Sequence, residues 1–407
     1  MADGQQQLVL SESHDLNAII VEILLRLPAK SLVRFRCVSK AWRDLISESY
    51  FIKNHLSHID TKNILNSKLL LSTTPPQAID YAALSNIASS NEEDDGPVAS
   101  REVDYPVDTR HFCLEGFVGS CNGLVCLLLD CSVVLWNPCT RVIQSLPSPS
   151  RFSRSCLFYG FGYDSVTDDC KIVVGGYRPL AGSGHGYHLQ HGEGFEETMI
   201  EVFALKTGSW RTLERLDFVM LFGQGCVVNG ALHWLKHQPS EHGLIVSNIM
   251  CFDLAEEKFR EFAVPCPPNY VGRNYFSVGI GAIRNCLTAY FEPRDGFDYR
   301  MWVMKEYGVK ESWAEIIRIP FEVLPQDYEI CLQPLFIFEN DEVLMNINGD
   351  VLALYNQKEK TFRNVFKTHV ENGWGQTTTY VETLVSPLIA GAPNLSNQHC
   401  ESFATFV

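Results

Sequence analysis

Three histidines, His185, His188 and His191, recur at three-residue intervals in the stretch GSGHGYHLQHGEG. Imidazole nitrogens are common metal ligands, so this spacing could form a metal site. The glycines around them predict a loop, and ordering the ligands of a loop costs conformational entropy. We therefore predict no metal here and interpret the segment as a substrate-binding loop projecting from a rigid scaffold.

Four oxygen-bearing residues, Asp164, Thr167, Asp168 and Asp169, cluster in GFGYDSVTDDCKIV. The cluster resembles a calcium loop only superficially, because the central glycine and terminal glutamate of an EF-hand are missing. We instead expect a β-turn in which these side chains accept hydrogen bonds from backbone amides.

Enzymatic motifs are otherwise absent from the sequence. It contains no Gly-x-Ser-x-Gly elbow, no phosphate-binding loop and no dinucleotide fingerprint. His233 follows the hairpin dipeptide Asn229-Gly230, so we expect a hydrogen-bonded structural histidine on the next strand. We interpret four tryptophans as packing residues: Trp136, Trp210, Trp313 and Trp374. We predict no catalytic residue, no metal and no cofactor.

Charge and cysteine placement restrict the class of protein. The net charge of −15 argues against a nucleic-acid partner, which would require a basic surface. The N-terminus lacks the pattern of a signal peptide, and no stretch approaches the ~18 apolar residues of a membrane span. The 14 cysteines contain no C-x-x-C pair and lie mostly in apolar stretches. We predict free thiols and a cytoplasmic or nuclear protein that binds no membrane.

Residues 15–47 show helical periodicity. The first apolar stripe follows the i, i+3, i+4, i+7 spacing of a helix face: Leu16, Ile19, Ile20, Ile23, Leu24 and Leu27. Pro28 ends this helix, and Ser39 is a candidate N-cap for a third one. Val21 and Leu25 form a second stripe that so small a module cannot bury alone. We therefore expect the helices to dock on the rest of the chain or on another protein.

The segment VEILLRLPAKSLVRFRCVSKAWRDLIS, residues 21–47, closely resembles the plant F-box. The resemblance implies that this module binds a Skp-type adaptor and, through it, a cullin. By position it implies six adaptor-binding residues, each of which could instead belong to the helical core: Leu24, Leu27, Pro28, Leu32, Val38 and Trp42. The usual opening Leu-Pro is replaced here by Asp15 and Leu16, so we expect a weaker first contact with the adaptor.

From about residue 112 an apolar strand, a polar turn and a second strand recur. The anchors of this unit are Ile143, Trp210, Phe259, Trp313 and Phe362, separated by 67, 49, 54 and 49 residues. A repeat of that length predicts a kelch-like β-propeller of about six blades, with an open array or two sandwiches as the alternative. YVETLVSPL near the C-terminus could close the ring beside a strand at Leu69–Leu71.

Several segments resemble the plant F-box-associated interaction domain, among them GSCNGLVCL, LWNPCTR, NGALHWL and YVETLVSP. The two resemblances imply an α+β multidomain chain, with a small α-helical F-box followed by an all-β propeller. We expect a tail (1–14), the F-box (15–55), a linker with one early strand and an acidic loop (56–111), the propeller-like domain (112–390) and a C-terminal tail (391–407).

The resemblance also implies a non-catalytic function. In that family the F-box holds the adaptor, and the second domain selects a target protein for ubiquitination and degradation. Two alternatives remain open: a kelch-type propeller enzyme with Tyr, His and Cys metal ligands on the axis, and an adaptor-bound scaffold that acts outside degradation.

Overall fold

The structure, a computed structural model, has N-terminal helices followed by a ring of six β-sheets, which confirms the predicted architecture. It describes residues 18–59, 67–73, 75–89, 98–103, 114–129, 132–149, 158–179, 195–213, 216–217, 220–240, 243–265, 278–291, 298–324, 331–367 and 376–388.

The N-terminal module (residues 18–59) contains four described helices. They span 18–25, Ala29–Phe35, Lys40–Ser47 and Ser49–His58. The predicted cap at Ser39 is confirmed, because its Oγ accepts a 3.1 Å hydrogen bond from the amide of Trp42. Sequence periodicity did not predict the fourth helix. None of the described helices is long and apolar enough to cross a membrane.

Six sheets in the described part of the chain form the ring, and each is mainly antiparallel. Sheet 1 contains Leu114–Cys121, Leu124–Leu129, Ser132–Asn137 and Val142–Ser145. Sheet 2 contains Phe158–Asp164, Asp169–Pro179, Phe195–Ala204, Ser209–Thr212, Leu216–Asp217 and Gly223–Gln224. Sheet 3 contains Met220–Leu221, Cys226–Val228, Ala231–Ser240, Gly243–Asp253 and Phe259–Ala263.

The remaining three sheets have four described strands each. Sheet 4 contains Val278–Ile283, Cys286–Phe291, Tyr299–Met304 and Trp313–Ile319. Sheet 5 contains Leu332–Ile337, Val343–Ile347, Val351–Asn356 and Thr361–Lys367. The closing sheet contains Thr377–Val381, Ser67–Leu71, Gln77–Asp80 and Arg101–Glu102. A helix, Tyr81–Ser89, and two short 3-10 helices, Lys310–Ser312 and Phe321–Val323, lie between strands.

The recurring sequence unit is a hairpin of two successive strands in each of sheets 1 to 5. Each anchor faces a large side chain directly across that hairpin: Trp136–Ile143, Phe203–Trp210, Phe252–Phe259, Met304–Trp313 and Tyr355–Phe362. Such cross-strand pairs stabilise an antiparallel sheet. The repeat is therefore visible in the sequence because one packing contact recurs in five of the six sheets.

The ring closes beside the predicted early strand, but the closing strand is Thr377–Val381, so the predicted segment YVETLVSPL supplies only its first two residues, Tyr380 and Val381. Leu69 pairs with Thr379, so the C-terminal strand joins a sheet whose other strands come from the N-terminal side. Six apolar clusters fill the six boundaries between neighbouring sheets. The segment 56–111, expected to be a linker with one strand, supplies three strands and a helix to the closing sheet. The ring therefore begins well before residue 112.

The predicted turns form as expected. Asp164 Oδ1 accepts hydrogen bonds from the amides of Val166 (2.9 Å) and Thr167 (3.3 Å), as predicted for a turn. Asn229 and Gly230 have positive φ values of 51° and 74°, as a tight hairpin turn requires.

Cys121 and Cys170 form a disulfide that joins sheet 1 to sheet 2. The prediction that the thiols are free is therefore wrong for this pair. The two cysteines are 49 residues apart in the sequence, and local patterns do not reveal such a pairing. Seven other described cysteines are not disulfide-bonded: Cys37, Cys126, Cys139, Cys226, Cys251, Cys286 and Cys331.

Candidate adaptor interface and its junction with the ring

The six predicted adaptor-binding residues separate into a buried, a partly buried and an exposed pair. Leu24 and Leu32 are 2% and 0% exposed, so they form the core of the module. They could contribute to an interface only by holding the surface residues in place. Leu27 and Trp42 are partly buried, and Trp42 packs edge-to-face on Phe35. The remaining two, Pro28 and Val38, are exposed.

Two further apolar residues of the first helix face solvent. Ile19 and Ile23 are 55% and 56% exposed, and Val38 after the second helix is 63% exposed. Because Ile19 and Ile23 are four residues apart, they lie on the same helix face. Neither residue was predicted as a site residue. The signal that could have identified them is their i, i+4 spacing on a helix with more apolar surface than the small module can bury. Exposed large apolar side chains in one small module indicate a protein-binding surface.

The module also differs in charge from the rest of the chain. Residues 18–59 contain seven Lys or Arg and three Asp or Glu, a net charge of +4, whereas the whole chain carries −15. Five of these cations lie at exposed positions: Arg26, Arg34, Lys40, Arg43 and Lys53. The apolar residues are therefore accompanied by positive charge, which favours an acidic partner surface.

The module packs directly against the ring. Cys139 of sheet 1 and Leu384, beyond the last strand, are buried in the same apolar cluster as Leu24, Leu32 and Phe51. Two ion pairs cross the junction: Lys53 Nζ to Asp168 Oδ2 at 2.7 Å, and Lys30 Nζ to Glu382 Oε1 at 2.5 Å. The ring thus completes the core of the helical module. This agrees with the expectation that Val21 and Leu25, the second apolar stripe of the first helix, need a partner outside the module.

Two buried titratable groups, one inside the F-box and one in the ring beside it, are held in their neutral forms. His55 is 1% exposed and its Nε2 donates to the Leu27 carbonyl oxygen over 2.9 Å. Burial lowers the pKa of His55. Burial, followed by the nearby Glu382 carboxylate, raises the pKa of the Cys139 thiol to about 12. Cys139 therefore acts as a small apolar side chain in the junction.

The helical module occupies one end of the ring. In an antiparallel sheet successive turns alternate between the two ends. The contacts of the module lie in the turns at 138–141 and 165–168 and just beyond the strand Thr377–Val381, all at the same end. The helix Tyr81–Ser89 lies at this end too, where Asn340 and Arg363 donate to its last carbonyls. The connection between Pro179 and Phe195 leaves from the opposite end.

The predicted substrate-binding residues His185, His188 and His191 lie outside the described residues. His233 is confirmed as a satisfied structural histidine, with Nδ1 3.3 Å from the Cys226 carbonyl oxygen and Nε2 2.9 Å from the Tyr307 hydroxyl. Cys251 Sγ is 3.4 Å from the same hydroxyl. These residues fill the boundary between sheets 3 and 4, which is distinct from the axial site that the enzyme alternative requires.

No three His, Cys, Asp or Glu side chains within the described ranges come together as metal ligands. The structure thus combines a helical module that presents apolar and basic residues with a six-bladed ring that the module caps at one end. This combination defines an F-box protein with a β-propeller interaction domain.

Comparison with known families supports the same class. The family model of the F-box domain matches residues 17–54, and that of the F-box associated beta propeller domain matches residues 100–387. The chain belongs to the F-box associated beta propeller family.

Individual relatives align with this chain over most of their length. The chain is 29% identical to an F-box/kelch-repeat protein of Arabidopsis thaliana over 387 residues, covering 90% of this chain and 94% of the relative. It is 28% identical to the F-box protein CPR1 of Arabidopsis thaliana over 364 residues, covering 84% and 82%. Among solved structures, an oligogalacturonate lyase in complex with manganese gives a TM-score of 0.43 at 10% identity, covering 73% and 72%.

Proposed function

We propose that this protein is the substrate receptor of a Skp–cullin–F-box ubiquitin ligase. In this proposal the F-box binds a Skp-type adaptor, the adaptor binds a cullin, and the ring holds a target protein for ubiquitination and proteasomal degradation. The receptor contributes proximity and orientation and no bond chemistry. We further propose that it acts in the cytoplasm, the nucleus or both.

One observation carries the adaptor-binding part of the proposal. Ile19, Ile23 and Val38 remain exposed although the same module buries Leu24 and Leu32 and docks on the ring. An apolar surface left over after both core and junction are filled fits a second protein partner. The net charge of +4 predicts that this partner surface is acidic and that binding weakens as salt concentration rises.

A titration of the full-length chain with a purified Skp-type adaptor tests this part. Ile23→Asp should weaken binding at least tenfold, because it places a charge on an apolar contact surface. Since Ile23 is exposed, the variant should remain folded. Ser57→Asp adds the same charge to another exposed position of the module and should bind within twofold of the wild type. Equal affinities for the wild type and Ile23→Asp would exclude this interface.

The end of the ring opposite the F-box is the candidate target-binding surface. The F-box contacts turns of sheets 1 and 2 at its own end, and the helix Tyr81–Ser89 packs there beside sheet 5. The connection carrying His185, His188 and His191 joins sheet 2 at the opposite end. We propose that this connection contacts the target.

Deletion of residues 181–194 tests the target-binding part. It should reduce retention of a target protein that accumulates when the proteasome is inhibited, and adaptor binding should be unchanged. Retention of the target by the deletion variant at the wild-type level would exclude this connection as the binding segment.

A further inference from the structure

The segment immediately after the last strand of the ring, residues 382–388, contacts both the F-box and sheet 1, and we call it the strap. Glu382 pairs with Lys30 of the F-box, and Leu384 is 2% exposed inside the F-box cluster. Between them, Thr383 is fully buried, and its hydroxyl donates a 2.9 Å hydrogen bond to the Asn122 carbonyl oxygen in sheet 1. The strap therefore connects ring closure to F-box docking.

Asn137, the last residue of the third strand of sheet 1, is fully buried and holds the strap. Its Nδ2 donates to the carbonyl oxygens of Thr383 at 3.1 Å and Val385 at 2.6 Å, which flank Leu384. Its Oδ1 accepts from the amides of Cys139 at 2.8 Å and Thr140 at 3.1 Å. One side chain thus fixes the backbone on both sides of Leu384 and the turn that contains Cys139.

Leu384 and Cys139 are the two buried ring residues in the F-box cluster among the described residues. Asn137 therefore orients both of the buried apolar contacts through which the ring completes the F-box core. An amide suits this position because it can donate two hydrogen bonds and accept two, whereas a carboxylate can only accept.

Equivalent positions in other sheets show that the turn alone does not require an amide. Asp253 in sheet 3 accepts from the amides of Ala255 and Glu256. Asn356 in sheet 5 accepts from those of Lys358 and Glu359. Either Asp or Asn can therefore accept the hydrogen bonds of this turn. The donor hydrogens of the Asn137 amide are needed for its hydrogen bonds to the strap.

We propose that Asn137 is a positioning residue that locks the F-box onto the ring, so that the target-binding end is held in a fixed orientation relative to the adaptor. The consequence for ubiquitin transfer rests on the proposed function. The lock itself is a property of the isolated chain and can be tested without an adaptor. Its loss should leave adaptor binding intact, because the exposed residues Ile19, Ile23 and Val38 are separate from it.

Zero-length carbodiimide cross-linking of the full-length chain measures how firmly the F-box is held on the ring. The reagent joins a lysine amine to a carboxylate in direct contact, so it reports the Lys53–Asp168 pair across the junction, whose side chains are 66% and 49% exposed. The Lys236–Glu261 pair, with atoms 2.6 Å apart inside sheet 3, serves as an internal control for ring folding. Yields are read by mass spectrometry of the linked peptides.

Asn137→Asp should lower the Lys53–Asp168 yield at least fivefold and leave the Lys236–Glu261 yield unchanged. Asp253→Asn, the matched control, should leave both yields at the wild-type level. An unchanged Lys53–Asp168 yield in Asn137→Asp would overturn the proposal. If both yields fall in that variant, its ring has unfolded, and Leu384→Ala decides instead.

Leu384→Ala keeps Asn137 and its turn but removes the strap's buried apolar contact with the F-box. A lower junction yield with an intact control yield supports the lock, and an unchanged junction yield overturns it. An adaptor titration on the same proteins separates the proposal that Asn137 locks the F-box from the proposal that the F-box binds an adaptor. Absence of binding by the wild type rejects the adaptor function, while the cross-linking result still stands.

Discussion

The His233 side chain on sheet 3 hydrogen-bonds through Nε2 to the hydroxyl of Tyr307, in the turn between the last two strands of sheet 4, over 2.9 Å. His233 is fully buried, and its Nδ1 faces the Cys226 carbonyl oxygen. The neutral imidazole therefore joins two blades, donating at one nitrogen and accepting at the other. Desolvation by burial lowers the pKa of His233 to about 4.

This pKa makes the stability of the ring depend on pH. The folded state keeps His233 neutral, whereas the unfolded chain binds a proton near pH 6.5. The stabilisation is thus complete above that pH and is lost as the pH falls toward 4. Between pH 7 and pH 4.5, the free energy of unfolding of the wild type should fall by about 2 kcal/mol more than that of His233→Gln.

Urea titrations of both proteins at the two pH values measure this difference. The contributions of other titratable groups, such as His55, are common to both proteins and cancel in the comparison. Parallel loss of stability in the wild type and His233→Gln would show that His233 can be protonated without cost in the folded state.

Lys171 is a buried cation that should be essential for the boundary between sheets 2 and 3. Its Nζ lies 2.8 Å from both Asp164 Oδ2 and Glu257 Oε1 and 2.6 Å from the Leu254 carbonyl oxygen. Burial opposes ionisation of Asp164, but hydrogen bonds from Lys171 and Thr167 outweigh it and lower the Asp164 pKa to about 2. The carboxylate is therefore charged and depends on Lys171.

Lys171→Met should lower the free energy of unfolding by about 3–5 kcal/mol, because it leaves a buried charge without its partner. The control is Arg318→Met, which removes a pair with Asp298 in which the arginine side chain is 58% exposed. That change should cost at most about 1 kcal/mol. Equal effects of the two substitutions in urea unfolding would contradict a structural role for the buried cation.

The disulfide between Cys121 and Cys170 predicts a redox-dependent stability. It closes a chain separation of 49 residues, so reduction should lower the free energy of unfolding of the air-oxidised wild type by about 2–4 kcal/mol. The double variant Cys121→Ala/Cys170→Ala should be insensitive to the same reductant. A wild type whose unfolding does not respond to reductant would show that this pair contributes no covalent link between the sheets.

The sequence patterns predicted the ring because its repeating contact is local. Trp210 and Phe259 each lie seven residues after the aromatic side chain that they face, so the unit recurs in the sequence. Closure was predictable as well, since Leu69 and its neighbours form an apolar strand that needs a partner. The Ser39 cap and the Asp164 turn follow from rules that span two or three residues.

The junction was not predictable in the same way. Leu384 and Cys139 enter the F-box core from positions more than 80 residues away in the sequence, and no periodicity connects them to that core. For the same reason, motif position alone did not separate the buried Leu24 and Leu32 from the exposed Ile23. Which apolar residues remain exposed depends on what the ring covers, and only the folded chain determines that.

Reconstitution of a ternary complex tests the receptor function most directly. Full-length chain, purified Skp-type adaptor and cullin are mixed and separated by size-exclusion chromatography with light scattering. The predicted result is one species with the mass of a 1:1:1 complex that forms only when the adaptor is present and is lost in Ile23→Asp. Elution of the wild-type chain alone, with adaptor and cullin together in a separate peak, would contradict the proposed function.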